Sequence, residues 1–157
     1  MAILKIVKEG DPLLRKISRP VTEITPRIHT LLDDMVDTMR RAGGCGLAAV
    51  QVGVLRRVIV IEVEEGVVYE MINPRIVAYA GQQEEVEGCL SVPGRSGITR
   101  RPLAVTVRYT DRTGEERELH GKELLARAIC HECDHLDGRL FIDDGVFLRE
   151  YVDRDGE

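Results

Sequence analysis

A stripe of hydrophobic residues at helical spacing is the clearest pattern in the chain. It follows Thr25-Pro26, which supplies an N-cap residue and a proline at the first helical position, and it predicts a helix that runs through Arg41. Its apolar members are Ile28, Leu31, Leu32, Met35, Val36 and Met39. The pattern is typical of an amphipathic helix whose apolar face packs on a core.

Three more helical segments are predicted outside this stripe. A short one falls within residues 3–18, a long one begins at Lys122 and ends at Gly138, and another short one lies near residues 146–151. Proline or glycine close to the first two segments supplies the signals that begin or end a helix. The long segment matters most for function because it carries two histidines.

Between these helices, short runs rich in β-branched residues alternate with turn signals and predict antiparallel strands. They cover residues 57–62, 67–73, 75–79, 82–87, 97–101, 103–109 and 116–120. Asn73-Pro74 is expected to end one strand, and Gly81 to turn a hairpin between the segments on either side of it. Helices at both ends with hairpins between them favour an α+β fold. We expect one domain over residues 1–157.

Two segments lack a regular pattern. Residues 43–53 begin with three glycines in four residues and predict a tight loop, in which the polar Gln51 bonds to local backbone. Residues 87–94 predict a non-helical connection that carries Cys89. Both segments therefore place irregular backbone between the predicted helices and strands, and each of them carries a cysteine, Cys45 and Cys89.

Composition narrows the classes of function. The chain has 157 residues, 43% of them hydrophobic and 31% charged, with a formal net charge of −5. This charge and the lack of a block of like charges give no indication of nucleic-acid binding or of an anionic membrane surface. The N-terminus lacks the pattern of a signal peptide, so we expect a cytoplasmic protein. Its four cysteines are then reduced, and a metal-binding or catalytic role is favoured for at least one.

The last long helix carries the pattern His-Glu-x-x-His at residues 131–135. Histidines four residues apart lie on one helical face, so His131 and His135 can bind one metal ion. Glu132 lies close enough around the helix to act on a water at that ion. The alternative is a surface helix with two histidines that match the pattern by chance.

A catalytic metal needs three protein ligands and an open position. In the thermolysin-like pattern the third ligand is a glutamate about twenty residues downstream, but the candidate here, Glu150, lies in a short tail. The metzincin pattern fails because Phe141 replaces its third histidine. Cys130 and Cys133 point away from the histidine face and are interpreted as packing residues. Cys89 is then the best upstream thiolate ligand.

Three segments together resemble the peptide deformylase family. They are Gly44-Cys45-Gly46-Leu47-Ala48-Ala49-Val50-Gln51, Glu87-Gly88-Cys89-Leu90-Ser91 and His131-Glu132-Cys133-Asp134-His135. Each segment alone is weak or moderate evidence, but three in this order with similar gaps are specific. The resemblance implies antiparallel β-sheets packed around the helix in the C-terminal half that carries the histidines, with an N-terminal helical segment. It also implies a hydrolase that removes the N-formyl group from the initiator methionine of new proteins.

The resemblance also implies a role for each site residue. Cys89, His131 and His135 would be the metal ligands. Glu132 would be the general base and acid for a metal-bound hydroxide, while Gln51 and the backbone N–H of Leu90 would hold the oxyanion. The family typically uses Fe²⁺, and Zn²⁺, Ni²⁺ or Co²⁺ could replace it in preparations. Cys130 stands where the family usually has glutamine. The hydrogen bond that this glutamine would make near the site is therefore not expected here, while the ligand set is unchanged.

The substrate is expected to be the formyl-methionine end of a nascent peptide, with transient contact to the ribosome and none to a membrane. The backbone of Gly44, Cys45, Gly46, Glu87 and Gly88 would pair with the peptide as an added strand. Leu124 and Ala128 share the histidine face and are candidates for the wall of a methionine pocket, with Arg127 at its rim. We also predict that Glu87 pairs with Arg100 or Arg101 and steadies the Gly88-Cys89 loop; the alternative is that these are separate, solvated surface charges.

Two other functions compete with deformylation. One is a zincin-type peptidase. The lack of a downstream ligand and the presence of a cysteine ligand argue against it. The other is a binding module with a structural metal, which would need a fourth protein ligand that the sequence does not offer.

Overall fold

Residues 2–152, the part of the chain that this computed structural model describes, contain two α-helices and eight β-strands. The helices are α1 (Pro26–Arg41) and α2 (Leu124–Leu136). The strands are β1 (Gly46–Ala48), β2 (Val58–Glu64), β3 (Val67–Ala80), β4 (Gln83–Cys89), β5 (Val92–Arg101), β6 (Ala104–Thr110), β7 (Glu116–Lys122) and β8 (Phe147–Glu150). The predicted α+β class is confirmed.

All pairings between these strands are antiparallel. One sheet has five strands in the order β1-β2-β3-β6-β7, and the other has three in the order β4-β5-β8. Within residues 2–152, strand β4 therefore has a neighbouring strand on one side only. Its other side is an edge whose backbone groups can pair with an added chain.

The two helices cover opposite faces of the five-stranded sheet. Along β2, Val58 and Val60 pack with α1, whereas Ile59 and Ile61 pack with α2. Successive side chains of a strand point to opposite faces, so a continuous apolar run is what a strand covered on both sides requires. Helix α2 is thus held against the sheet with its histidines buried.

The helix predicted after Thr25 agrees with α1, which starts at Pro26 and ends at Arg41. The long C-terminal helix is also confirmed, although it begins at Leu124 and not at Lys122, which ends β7. Gly138 follows the helix with a positive φ of 76°, a conformation that favours glycine. The first predicted helix is only one 3₁₀ turn, Pro12–Arg15.

The hairpin predicted around Gly81 is wrong. Strand β3 pairs with β6, and β4 pairs with β5 in the other sheet, so the chain changes sheets at this glycine. The turn predicted at Asn73-Pro74 is also wrong. Strand β3 continues through it with an irregular register, while Asn73 takes a positive φ of 52° and its side chain bonds to the backbone of Val21.

Two other expectations are corrected. The short helix near residues 146–151 is instead β8, which pairs with β5. The tight loop predicted over residues 43–53 contains β1 and a 3₁₀ turn, Ala49–Val52. Between residues 2 and 152, no helix combines the length and the apolar character that a membrane span needs.

Candidate metal centre and substrate cleft

Two elements far apart in sequence bring the three predicted metal ligands together. Cys89 is the last residue of β4, and His131 and His135 are one turn apart on α2. One donor atom from each lies within 4.8 Å of the other two. It is the only such group found among residues 2–152, and no fourth protein ligand joins it.

The distances fit a common metal ion. The Cys89 Sγ and the His131 Nε2 each lie 3.3 Å from the His135 Nε2. Ligands bound at about 2.0–2.3 Å in tetrahedral geometry are about 3.3–3.6 Å apart, which agrees with both distances. A soft thiolate with two imidazoles suits Zn²⁺ and Fe²⁺ alike. The residues present therefore fit a divalent ion held by three protein ligands.

A buried polar network orients His131 toward this centre. Its Nδ1 lies 2.5 Å from the Glu87 Oε2, so the ring donates there and leaves Nε2 free as a ligand. Glu87 also accepts from the Thr99 hydroxyl and from two nitrogens of Arg101. Arg101 donates in turn to Asp134, at 2.6 Å. Burial raises the pKa of Glu87, but the bonds from His131 and Arg101 outweigh it and hold that pKa below its usual value.

Glu132 lies beside the centre with its carboxylate buried. The side chain is 4% exposed, and its Oε1 has no hydrogen-bond partner within the described part of the chain. Burial raises the pKa of Glu132 to about 7. Gly46 makes room for this carboxylate, because a Cβ at that position would overlap the Glu132 side chain.

Gln51 is buried between β1 and the segment after β4. Its Oε1 accepts from the Ala48 N–H at 2.9 Å, as expected for a local backbone bond. Its Nε2 donates to the Ser91 hydroxyl at 3.0 Å and lies 3.7 Å from the Cys89 Sγ. The amide is therefore fixed with its donor nitrogen beside the metal ligands.

A cleft of about 410 Å³ opens onto these residues. Gln51, Leu90 and Glu132 line it together with Cys89 and His131. All of the residues predicted to contact substrate also line it: Gly44, Cys45, Gly46, Glu87, Gly88, Leu124, Arg127 and Ala128. Of the two residues predicted to form a pocket wall, Leu124 is 42% exposed at the cleft and Ala128 is buried.

The remaining cysteines on α2 lie outside the ligand group. Cys130 is buried in the core, and Cys133 packs against that core, so their interpretation as packing residues is confirmed. Burial raises the pKa of Cys130 to about 12 and raises that of Cys133 as well. Both thiols stay protonated at neutral pH and are poor ligands.

Comparison with known proteins identifies the family. The family model described as Polypeptide deformylase matches residues 3–149. The chain belongs to the polypeptide deformylase family. The resemblance and the predicted enzyme class are therefore confirmed.

Relatives within the polypeptide deformylase family are similar over most of their length. The peptide deformylase of Alkaliphilus metalliredigens is 59% identical over 91% of this chain and 97% of its own. The peptide deformylase of Caldanaerobacter subterraneus subsp. tengcongensis is 57% identical over 99% of this chain and 98% of its own length. The crystal structure of the Legionella pneumophila enzyme matches with a TM-score of 0.88 at 44% identity, covering 90% of this chain and 85% of that one.

Three polar residues near the centre were missed from the sequence. Asp134 lies inside the His-Glu-x-x-His segment, and its spacing could have suggested a partner for the arginines. Ser91 directly follows the Cys89-Leu90 pair and holds the amide of Gln51. Thr99 bonds to Glu87 from β5, and only the pairing of β4 with β5 reveals that contact.

Proposed function

We propose that this member of the polypeptide deformylase family removes the formyl group from formyl-methionine at the start of nascent peptides. The observation that carries the proposal is the meeting of five groups at one cleft. They are the three metal-ligand side chains, the buried carboxylate of Glu132 and the amide of Gln51. The family match and the relatives named peptide deformylase support the same reaction.

The three ligands define what a metal would contribute. Cys89, His131 and His135 would hold a divalent ion, which would supply a water of lowered pKa as the nucleophile. We propose Fe²⁺ as the native ion because the resemblance to the family implies it. Zn²⁺, Ni²⁺ or Co²⁺ are proposed as substitutes, since the thiolate and imidazole set also accepts them. The network from Glu87 to Asp134 keeps the His131 ring in the ligating orientation.

Glu132 handles the protons in this proposal. Its carboxylate takes the proton that the attacking water loses and later passes it to the leaving amine. Its Oε1 has no competing hydrogen bond from residues 2–152, and the lack of a side chain at Gly46 leaves room for the carboxylate.

Gln51 and Leu90 stabilise the charge that develops on the formyl oxygen. The Gln51 Nε2 carries two N–H groups, and Ser91 occupies one of them. The second makes only a long contact with the Cys89 Sγ, 3.7 Å from Nε2, which the oxygen would replace as it becomes negative. The backbone N–H of Leu90 is the other donor. Because neighbouring residues already fix the amide, it needs little reorganisation during the reaction.

The peptide lies as an added strand between β1 and the free edge of β4. The backbone of Gly44, Cys45 and Gly46 borders one side, and that of Glu87 and Gly88 borders the other. The formyl group then reaches the centre, and the methionine side chain enters the pocket beside Leu124 and Ala128. Main-chain bonds supply affinity with little demand on later residues, which suits an enzyme for many nascent chains.

We propose a single domain over residues 1–157 that works in the cytoplasm and meets its substrate in transient contact with the ribosome. The test of the function is product release from matched peptides. Formyl-Met-Ala-Ser should yield formate, while acetyl-Met-Ala-Ser and unblocked Met-Ala-Ser should yield no product. Cleavage inside the unblocked peptide would indicate a peptidase, and no product from any peptide would indicate a non-catalytic metal module.

A further inference from the structure

The guanidinium of Arg127 places an unpaired positive charge in the substrate cleft. It is the only Lys or Arg side chain among the described residues that line the cleft. Its Nη1 donates to the Val86 carbonyl at 2.9 Å, and its Nε is buried without an acceptor within residues 2–152. No carboxylate of this part of the chain forms an ion pair with it, whereas Arg101 binds both Glu87 and Asp134.

The remaining acidic groups of the cleft do not neutralise this charge. Glu87 is committed to Arg101 and His131, and Glu132 is buried beside the metal ligands. Arg127 thus keeps free N–H donors and a charge that a ligand can satisfy.

The bond to Val86 fixes where Arg127 lies along the peptide path. Cys89 ends β4, so a peptide whose formyl group is near Cys89 runs back along this edge toward Val86. In the proposed pairing, Gly88 would lie beside the first peptide residue, and Val86 is two residues farther along the edge. Since side chains alternate along a strand, the first and third residues point to the same side. The first would enter the pocket beside Leu124 and Ala128, so the third would face Arg127, which neighbours Leu124 one turn along α2.

We propose that Arg127 binds an acidic side chain on the third residue of the formyl-peptide substrate. This inference rests on the proposed function and adds a substrate preference to it. A guanidinium matches the geometry of a carboxylate through two parallel N–H bonds. Because the pair is open to solvent, the preference is modest, roughly two- to fivefold.

The experiment compares kcat/KM for formyl-Met-Ala-Asp-amide and formyl-Met-Ala-Asn-amide at low salt. The C-terminal amide removes the carboxylate of the peptide end, and Asp and Asn have the same shape. The wild-type ratio of Asp to Asn should be about threefold, as expected for a partly exposed ion pair. Arg127→Met should reduce the ratio to one, and Arg127→Lys should retain part of it. Arg139→Met, which removes an exposed charge elsewhere, should leave the ratio at the wild-type value.

Moving the acidic residue tests the assignment to the third position. Formyl-Met-Asp-Ala-amide and its Asn counterpart should react at equal rates, because the second side chain points away from Arg127. A wild-type ratio of one at the third position, a ratio that survives Arg127→Met, or an equal preference at the second position would each overturn the inference. Formate from all peptides at equal rates contradicts this inference alone, whereas no formate from any peptide contradicts the proposed function.

Discussion

At the residue scale, the buried network that orients His131 depends on the ion pairs of Arg101. Arg101 is 4% exposed and is bonded to Glu87 and Asp134, so the predicted pairing with Glu87 is confirmed for Arg101. Arg100 instead lies 3.5 Å from Glu84 at the surface. Two arginines adjacent in sequence thus sit in a buried and an exposed ion pair, which provides a matched comparison.

Arg101→Met should lower the free energy of unfolding by about 3–5 kcal/mol, because it leaves buried carboxylates without their cation. Arg100→Met should change it by at most about 1 kcal/mol, the usual limit for an exposed pair. Urea unfolding of both variants and the wild type measures the two changes. Equal losses of unfolding free energy in the two variants would show that the buried ion pairs of Arg101 contribute no more to stability than the exposed pair of Arg100.

Glu132→Gln tests the proposed base. Glutamine has the same shape but cannot accept the proton of the attacking water, so turnover should fall by at least about 10²-fold. Metal content, measured by elemental analysis, should stay at the wild-type level because Glu132 is not one of the ligands. Activity within about tenfold of wild type would remove Glu132 from the proton-transfer role.

Cys89→Ser and Cys130→Ser separate the ligand from the packing cysteine. A hydroxyl is a much poorer ligand than a thiolate, so Cys89→Ser should lose most of its bound metal. Cys130→Ser should keep its metal, because Cys130 is buried in the core with a raised pKa. Elemental analysis of the two purified variants decides between them, and the opposite pattern would mean that the ligand is Cys130.

At the scale of elements, β1 matters because its backbone packs directly against α2 beside Glu132. Gly46 in β1 has no room for a Cβ beside Glu132, whereas a Cβ on Gly88 in β4 would meet only ordinary contacts, with the Arg95 carbonyl at 3.7 Å. The packing therefore requires glycine at position 46, in the β1 wall of the cleft, but not at position 88, in the β4 wall.

Gly46→Ala should reduce kcat by at least about tenfold, since displacing the carboxylate of Glu132 by even about 1 Å disturbs the reacting geometry. Gly88→Ala should keep the fold and retain more activity than Gly46→Ala. Steady-state kinetics and thermal unfolding of both variants test this comparison. Full activity in Gly46→Ala would contradict the close packing of β1 on Glu132.

The elements differ in how well their sequence predicts them. Helix α1 is predicted to the residue because its cap, its proline and its apolar stripe are all local signals. The change of sheet at Gly81 is not predictable in this way, because strands on either side of a glycine look the same whether they pair or separate. The sequence wrongly predicts a helix at β8, because the few residues of this strand gain their conformation from pairing with β5.

At the scale of the whole molecule, three short segments far apart in sequence meet around one centre. The spacing of His131 and His135 predicts their shared face, because a helix fixes it locally. Their distance from Cys89 depends on how β4 and its sheet pack against α2, which no local pattern specifies. The resemblance to the family predicts that Cys89 lies beside the two histidines, and the cluster of their donor atoms agrees with it.

Metal analysis paired with activity tests the central claim most directly. Protein purified without oxygen should contain about one divalent ion per chain, as a single site with three protein ligands predicts. Formate release from formyl-Met-Ala-Ser should disappear when a chelator removes the ion and return when Fe²⁺ or Ni²⁺ is restored. Undiminished formate release from protein shown to be free of metal would contradict the account.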